Sequence, residues 1–283
     1  MNRRSFFQVS GATSASVLLG STKANAEAEA FQVPFDPAKL ASRNHNRSTV
    51  VSQRGMVCSS QPLASVAGLD VLKKGGSAID AAICANAVLS VVEPMSCGPG
   101  GDLFAILWNE QEQKLHGLNA SGRAPYDWNL ASAGELGIES IPTYSPHAWS
   151  VPGCVSGWGA LHQRFGKLGF AEIMEASIDY ARNGFPVSPI IGQGWLGDQA
   201  KKYETLYRTY APNAKPPGFG NVFKNPDMAD FLDIIAQGGA DAFYKGEVAE
   251  RIVKFSKETG GHFSLRDFAD HQANWVDPVS ANY

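Results

Sequence analysis

The sequence predicts a layered fold in which α-helices pack against β-strands. Two observations carry this prediction. Residues 103–120 have the pattern of a two-stranded hairpin, and the segments on either side of it place apolar residues at helical spacing. With 44% hydrophobic and 18% charged residues, the 283-residue chain has an ordinary globular composition. It shows no internal repeat, which argues against a solenoid or a propeller.

The predicted elements begin with a short strand at residues 55–60. A helix follows, because Pro62 suits a first helical turn and the Gly75–Gly76 pair ends the apolar pattern. A second helix starts with Ser77 as N-cap and Asp80 three residues later, and it runs to about Val92. Its residues are small and apolar almost all round, so we expect a buried helix.

The hairpin is predicted from two apolar segments separated by the turn sequence NEQEQ. The first segment, LFAILW at 103–108, is an unbroken apolar run, which is typical of a strand covered on both faces. The Gly98–Gly101 loop before it lacks the glycine order of a phosphate-binding loop, so we interpret it as a structural tight turn. Arg123 lies at the mouth of this hairpin.

The rest of the chain predicts further helices. Two follow Val151–Pro152–Gly153, a polar excursion spans about 199–226, and two more end at the glycine pairs Gly238–Gly239 and Gly260–Gly261.

Charge and hydropathy exclude two classes of partner. The net charge is −3 and the pI is about 6.1, and no dense Lys/Arg run occurs outside the extreme N-terminus, so nucleic acid is not an expected partner. After residue 30 no apolar run reaches the length of a membrane span, so we expect none in the mature protein.

The N-terminus has the pattern of an export signal. Residues 1–26 combine a basic start with a mildly apolar segment and an Ala-Asn-Ala cleavage site, which places cleavage after Ala26. Arg3 and Arg4 side by side favour the twin-arginine route over an ordinary secretory signal. Residues 27–50 are then a leader, the domain spans 51–283, and the mature protein is expected in the periplasm or outside the cell.

Cysteines and histidines offer no metal or catalytic pattern. Cys58, Cys84, Cys97 and Cys154 are irregularly spaced; one disulfide is conceivable, no pairing follows, and four small core residues are the favoured interpretation. There is no CxxC pair and no HExxH, and no metal or organic cofactor is inferred. Neither a Ser/His/Asp arrangement nor a nucleophile elbow is present, so no catalytic group is assigned within the chain.

A family resemblance rests on many landmarks together. Residues 55–107 contain the stretch GMVCSSQPLASVAGLDVLKKGGSAIDAAICANAVLSVVEPMSCGPGGDLFAIL, followed in order by VPGCVSGW, ARNGFPVS, GADAFYKGEVAERIV, GGHFSLRDFADH and DPVSANY. Over about residues 50–283 the chain strongly resembles the γ-glutamyltranspeptidase family, also called glutathione hydrolases.

The resemblance implies an N-terminal nucleophile hydrolase with the αββα four-layer sandwich, incomplete in this chain. Such a precursor cuts itself into a large and a small subunit, and the new N-terminal threonine of the small subunit attacks a γ-glutamyl amide with its own amine as base. That threonine is expected beyond Tyr283. The implied partners are a small-molecule γ-glutamyl substrate and the small catalytic subunit from the same precursor.

The resemblance also points to Arg123 and Ser121 as substrate-binding residues. Family members grip the substrate α-carboxylate with an arginine that leads an R-E-x-A-P stretch. Here Ala124–Pro125 match, Ser121 occupies the leading position, and the arginine comes two places later. Three interpretations stay open: the same role from a shifted position, a branch that takes another amide such as a glutaryl amide, or an exposed surface charge.

The absence of the nucleophile segment leads to two alternatives. The favoured one is that the sequence is the first part of a longer precursor; the other is a non-catalytic half that folds only against a partner chain.

Overall fold

The computed structural model of the protein describes residues 49–282, apart from the side chains at positions 198, 199 and 213. The predicted signal peptide, residues 1–26, and nearly all of the predicted leader lie outside the described residues. The described residues from Ser52 onward form one compact unit.

Helices and short strands are mixed along the described chain. The strands are β1 (Leu103–Asn109), β2 (Lys114–Ala120), β3 (Phe185–Pro186), β4 (Val222–Phe223) and β5 (Asn274–Val276). The α-helices are α1 (Pro62–Lys73), α2 (Ala78–Val92), α3 (Leu130–Glu135), α4 (Cys154–Phe165), α5 (Phe170–Asn183), α6 (Pro189–Gly194), α7 (Glu204–Tyr210), α8 (Pro226–Gly238), α9 (Asp241–Tyr244), α10 (Glu247–Glu258) and α11 (Leu265–Ala269).

The predicted hairpin is confirmed and forms part of a three-stranded antiparallel sheet. β1 pairs with β2 from Leu103–Ala120 to Asn109–Lys114. β5 adds to the other edge of β2, with Trp275 opposite Leu118. The sequence reasoning missed β5, because three residues are too few to show a period of two.

Only one face of this sheet is covered by the described chain. Ala105 and Leu118 face inward against α4, whereas Phe104 is 66% exposed, Ile106 74% and Trp108 52%. The prediction that the run 103–108 is covered on both faces is therefore wrong for this chain. An unbroken apolar run is typical of a strand with both faces covered in the final fold, and part of that cover can come from outside the described residues.

Helix α2 lies at the centre of the helical layers. It packs against α1, α4 and α5, and its buried residues include Ile83, Ala87 and Val88. Its predicted N-terminus is confirmed: the Ser77 hydroxyl accepts from the Asp80 amide at 3.0 Å, and the Asp80 carboxylate accepts from the Ser77 amide at 2.8 Å. The fully buried carboxylate also accepts from the amide of Lys167 at 2.9 Å, which ties α2 to the loop after α4.

Helix α4 approaches the sheet closely at Gly157. A Cβ at this position would lie 2.9 Å from a Leu103 methyl carbon and 3.0 Å from the Ala120 Cβ. Glycine therefore sets the distance between the helix and the sheet. The other long helices predicted from the sequence, α1, α5, α8 and α10, are also confirmed.

Two further local predictions need correction. Residues 55–60 alternate between half-buried and exposed, but they form no strand, because no strand among the described residues pairs with them. The excursion at 199–226 includes α7 and β4, and Phe223 packs on Trp195 with ring centroids 4.7 Å apart. A hydrophobic cluster therefore anchors this segment, although the polar composition of the segment gave no sign of such a cluster.

Candidate functional site

The two residues predicted to bind substrate, Ser121 and Arg123, lie directly after β2 on one turn held by Asp102. The Asp102 carboxylate accepts from the Gly122 amide at 2.7 Å and from the Ser121 hydroxyl at 3.3 Å. A Cβ on Gly122 would lie 2.4 Å from the Val151 carbonyl oxygen, so only glycine fits between the two predicted residues. The turn is thus fixed from both sides.

The Arg123 guanidinium is exposed and points toward the sheet edge. One of its amino groups donates to the Asn274 side chain on β5 at 3.0 Å, and its carbonyl oxygen accepts from the Val151 amide at 2.9 Å. Within the described residues neither Arg123 nor Asp102 forms an ion pair, with each other or with any other group. A cation and an anion therefore lie on adjoining segments and remain accessible to a ligand.

The glycine loop before β1 is the structural turn that the sequence predicted. The Gly101 amide donates to the Gly98 carbonyl at 3.1 Å, which closes a tight turn. The Gly101 carbonyl then accepts from the amides of Gly153 and Cys154 at 3.0 and 2.9 Å. This turn brings Asp102, the end of β2 and the start of α4 together.

His271 is a buried neighbour of both charges. Burial lowers the pKa of its imidazole, the Arg123 guanidinium lowers it further, and the Asp102 carboxylate acts in the opposite direction. The ring is therefore neutral at physiological pH. Sequence reasoning missed Asp102, His271 and Asn274, because the folded chain brings them to Arg123 from segments about 20 and 150 residues away.

A clasp of three rings, Trp128, His147 and His262, anchors the segment that follows Arg123. His147 Nδ1 lies 2.8 Å from His262 Nε2, so one ring donates and the other accepts. Trp128 stacks on His262 with centroids 4.3 Å apart and on His147 at 5.1 Å. Because the acceptor nitrogen must be unprotonated, the clasp holds at most one additional proton without losing its hydrogen bond.

The clasp leads to a pH-dependent stability. Burial lowers the pKa of His262 below its ordinary 6.5, His147 lowers it further, and Asp127 opposes the shift. The pKa of His262 is therefore lower in the folded than in the unfolded state. The stability that neutral His262 contributes is fully present above about pH 6.5 and is lost as the pH falls through the lowered pKa.

We therefore expect the wild-type denaturation midpoint to fall more between pH 7.5 and 5.5 than that of His262→Gln, measured by chemical denaturation. Equal pH dependence in the two proteins would contradict a role for the clasp.

The four cysteines are unpaired. Cys84 and Cys154 are buried, and burial raises the pKa of each thiol to about 12, so they are inert core residues as predicted. Cys97 is half-buried. Cys58 is exposed, so the interpretation as a core residue is wrong there, since the extended segment around it has no covering strand.

The described residues include no group of three or more His, Cys, Asp or Glu side chains placed to hold a metal ion. Across the same part of the chain, no helix has the length and hydropathy needed to cross a bilayer.

Comparison with known proteins decides the family. The family model described as gamma-glutamyltranspeptidase matches residues 64–283. The chain belongs to the gamma-glutamyltranspeptidase family. Its sequence is 36% identical over 246 residues to the glutathione hydrolase-like YwrD proenzyme of Bacillus subtilis, a match that covers 83% of this chain and 45% of that protein. The chain thus spans about half the length of the curated relatives that it matches.

Solved structures that are similar to this chain share its fold. The gamma-glutamyltranspeptidase of Helicobacter pylori matches with a TM-score of 0.77 and 28% identity, over 83% of this chain and 69% of that chain. The cephalosporin acylase of Bacillus halodurans matches with a TM-score of 0.75 and 36% identity, over 85% and 47%. The predicted fold class, a part of the αββα sandwich of N-terminal nucleophile hydrolases, is confirmed.

Proposed function

We propose that this chain is the substrate-binding, large-subunit part of a γ-glutamyltransferase or glutathione hydrolase precursor. The reaction is cleavage of a γ-glutamyl amide through an acyl-enzyme on an N-terminal threonine that lies beyond Tyr283. Support comes from the family membership and from similarity to relatives named as glutathione hydrolase proenzymes. Water or an amino acid then releases the glutamyl group.

The observation that carries the proposal is the Arg123 guanidinium after β2, which has no ion-pair partner among the described residues. Its planar fork suits a carboxylate bidentately, and Asn274 takes only one of its five N–H donors. Ser121, in the position where the family pattern has its arginine, lies on the same Asp102-held turn. An arginine at position 121 or at position 123 would therefore extend from the same turn. This supports the interpretation that Arg123 binds the substrate carboxylate from a position shifted by two residues.

Asp102 favours a glutamyl over a glutaryl substrate. These two acyl groups differ in the α-ammonium, which only the glutamyl group carries. Asp102 accepts a hydrogen bond from Gly122, the residue before Arg123, and has no cationic partner among the described residues. The α-ammonium of a substrate whose carboxylate is bound by Arg123 could therefore form an ion pair with Asp102. A glutaryl group would leave that charge unmatched.

The second candidate is an acylase for a glutaryl-type amide. The observation in its favour is the 36% identity to the Bacillus halodurans structure described as a cephalosporin acylase, together with the departure from R-E-x-A-P at Ser121.

The full-length protein tests both candidates with a matched pair of γ-glutamyl and glutaryl amides of the same amine. Mass spectrometry first establishes whether the precursor cleaves itself. We expect kcat/KM to favour the γ-glutamyl amide, and Asp102→Asn, which keeps an acceptor for the Gly122 amide, to raise its KM about tenfold. A preference for the glutaryl amide would select the acylase, and an active site that never forms would select the non-catalytic half.

The proposed partner is the small catalytic subunit from the same precursor. The outer sheet face, defined by Phe104, Ile106, Trp108, Leu115 and Val276, is apolar and exposed in this chain. An exposed apolar sheet face of this kind is what a second sheet covers in a sandwich. Relatives named as proenzymes are consistent with processing into subunits.

The proposed location is the periplasm or the exterior, reached by the twin-arginine route. Its support is Arg3–Arg4 and the Ala24–Ala26 cleavage site, with an ordinary secretory signal as the alternative.

A further inference from the structure

A buried hydrogen-bond network, formed by Ser156, Tyr244 and His271, lies behind the Arg123 turn. The Tyr244 hydroxyl donates to the Pro152 carbonyl at 2.6 Å and accepts from the Ser156 amide at 3.0 Å. Burial raises the pKa of Tyr244, so its hydroxyl stays protonated and remains a donor. One phenol thus fixes the backbone on both sides of the α4 N-terminus.

Ser156 connects this tyrosine to His271. Its hydroxyl donates to the Gly153 carbonyl at 3.0 Å and lies 3.3 Å from His271 Nε2. Because the serine hydrogen is used by Gly153, we assign the imidazole hydrogen to Nε2, which donates to the serine oxygen. His271 is only 6% exposed, and its Nδ1 has no partner in the described part of the chain.

The network reaches Arg123 by two routes. Along the first, the clamped segment Pro152–Gly153 follows Val151, whose amide donates to the Arg123 carbonyl at 2.9 Å. Along the second route, His271 lies three residues before Asn274, and the Asn274 side chain accepts a hydrogen bond from the Arg123 guanidinium at 3.0 Å. The backbone and the charged end of Arg123 are therefore both held by segments that this network fixes.

We propose that Ser156, Tyr244 and His271 are positioning residues that set the location of Arg123 for substrate binding. In this proposal they act through Val151 and Asn274, which contact Arg123 directly. The proposal rests on the proposed role of Arg123 in binding the substrate carboxylate. Geometry within about 1 Å decides such contacts, so a small relaxation of the turn has a large effect on binding.

A matched pair of serines tests the proposal in the full-length enzyme. Ser156 and Ser177 are both buried, and each donates to the carbonyl three residues earlier, at 3.0 and 2.7 Å. The carbonyl that Ser177 contacts belongs to Met174 within α5, and the described structure shows no link from it to Arg123. Ser156→Ala and Ser177→Ala therefore remove the same kind of hydrogen bond at two places.

We expect both variants to lower Tm, and only Ser156→Ala to raise the KM for γ-glutamyl amides, about five- to thirtyfold, with kcat within about twofold of wild type. Ser156→Thr keeps the hydroxyl that donates to the Gly153 carbonyl. It should restore the wild-type KM. Tyr244→Phe provides a second variant if Ser156→Ala fails to fold, with the same expected split between KM and kcat.

Two failures are distinguishable. If Arg123→Lys raises KM while Ser156→Ala and Tyr244→Phe leave it unchanged, or if Ser177→Ala raises it equally, the positioning role is overturned and the proposed function stands. If Arg123→Lys itself leaves KM unchanged, Arg123 does not bind the substrate carboxylate, and the proposed positioning role is overturned as well.

Discussion

Replacing Arg123 by lysine in the full-length enzyme is expected to raise the KM for γ-glutamyl amides about tenfold or more, with any change in kcat no larger than the change in KM. Lysine keeps the charge but loses the planar fork, and a charge-assisted contact contributes about 1.5–3 kcal/mol. Arg123→Ala, which also removes the charge, should raise KM further. Steady-state kinetics over a range of substrate concentrations separates KM from kcat.

The control for this prediction is Arg251→Lys. Arg251 is an exposed arginine on α10, 3.9 Å from Glu247, so it represents a surface cation without a proposed role. Its replacement should leave both constants unchanged. An unchanged KM in Arg123→Lys would remove Arg123 from the carboxylate site and leave the interpretation as a surface charge.

Replacing Ile106 by aspartate is expected to prevent assembly of the full-length precursor. Ile106 is 74% exposed in this chain, at the middle of the apolar sheet face that we propose to be covered by the small subunit. An unpaired carboxylate buried between two sheets costs several kcal/mol, a large part of the stability of a typical domain. We expect self-cleavage to fall at least tenfold and the protein to move to the insoluble fraction.

A matched control is available at Ile190 on α6, which is 81% exposed and does not belong to the sheet face. The Ile190→Asp precursor should undergo self-cleavage and remain in the soluble fraction to the same extent as the wild type. Gel electrophoresis of soluble and insoluble fractions measures both outcomes. Normal cleavage and activity of Ile106→Asp would mean that this face is not covered in the mature enzyme.

Local sequence signals predicted most of the helical layer. The N-terminus of α2 follows from Ser77 and Asp80, because a capping box needs only residues three apart. The hairpin follows from two apolar segments and a short polar turn, and the two segments pair in the structure. Each of these features is decided by contacts within a few residues.

Burial across the sheet could not be predicted in the same way. The letters LFAILW are apolar at every position, yet the described chain covers only alternate residues. The sequence of a strand reflects all of its final contacts, whereas exposure in this chain reflects only the contacts that the chain itself makes. The same reason explains residues 55–60, which have alternating burial and pair with no strand of the described chain.

By itself, the sequence determined the family resemblance, the presence of the long helices and the choice of Arg123 and Ser121 as candidate substrate contacts. Only the tertiary structure decided that Asp102 holds their turn, that Asn274 receives the guanidinium, and that Ser156, Tyr244 and His271 support the backbone behind it. The physical reason is sequence distance. These groups meet across about 20 to 150 residues, through hydrogen bonds that depend on how strands and helices pack and leave no periodic trace in the chain.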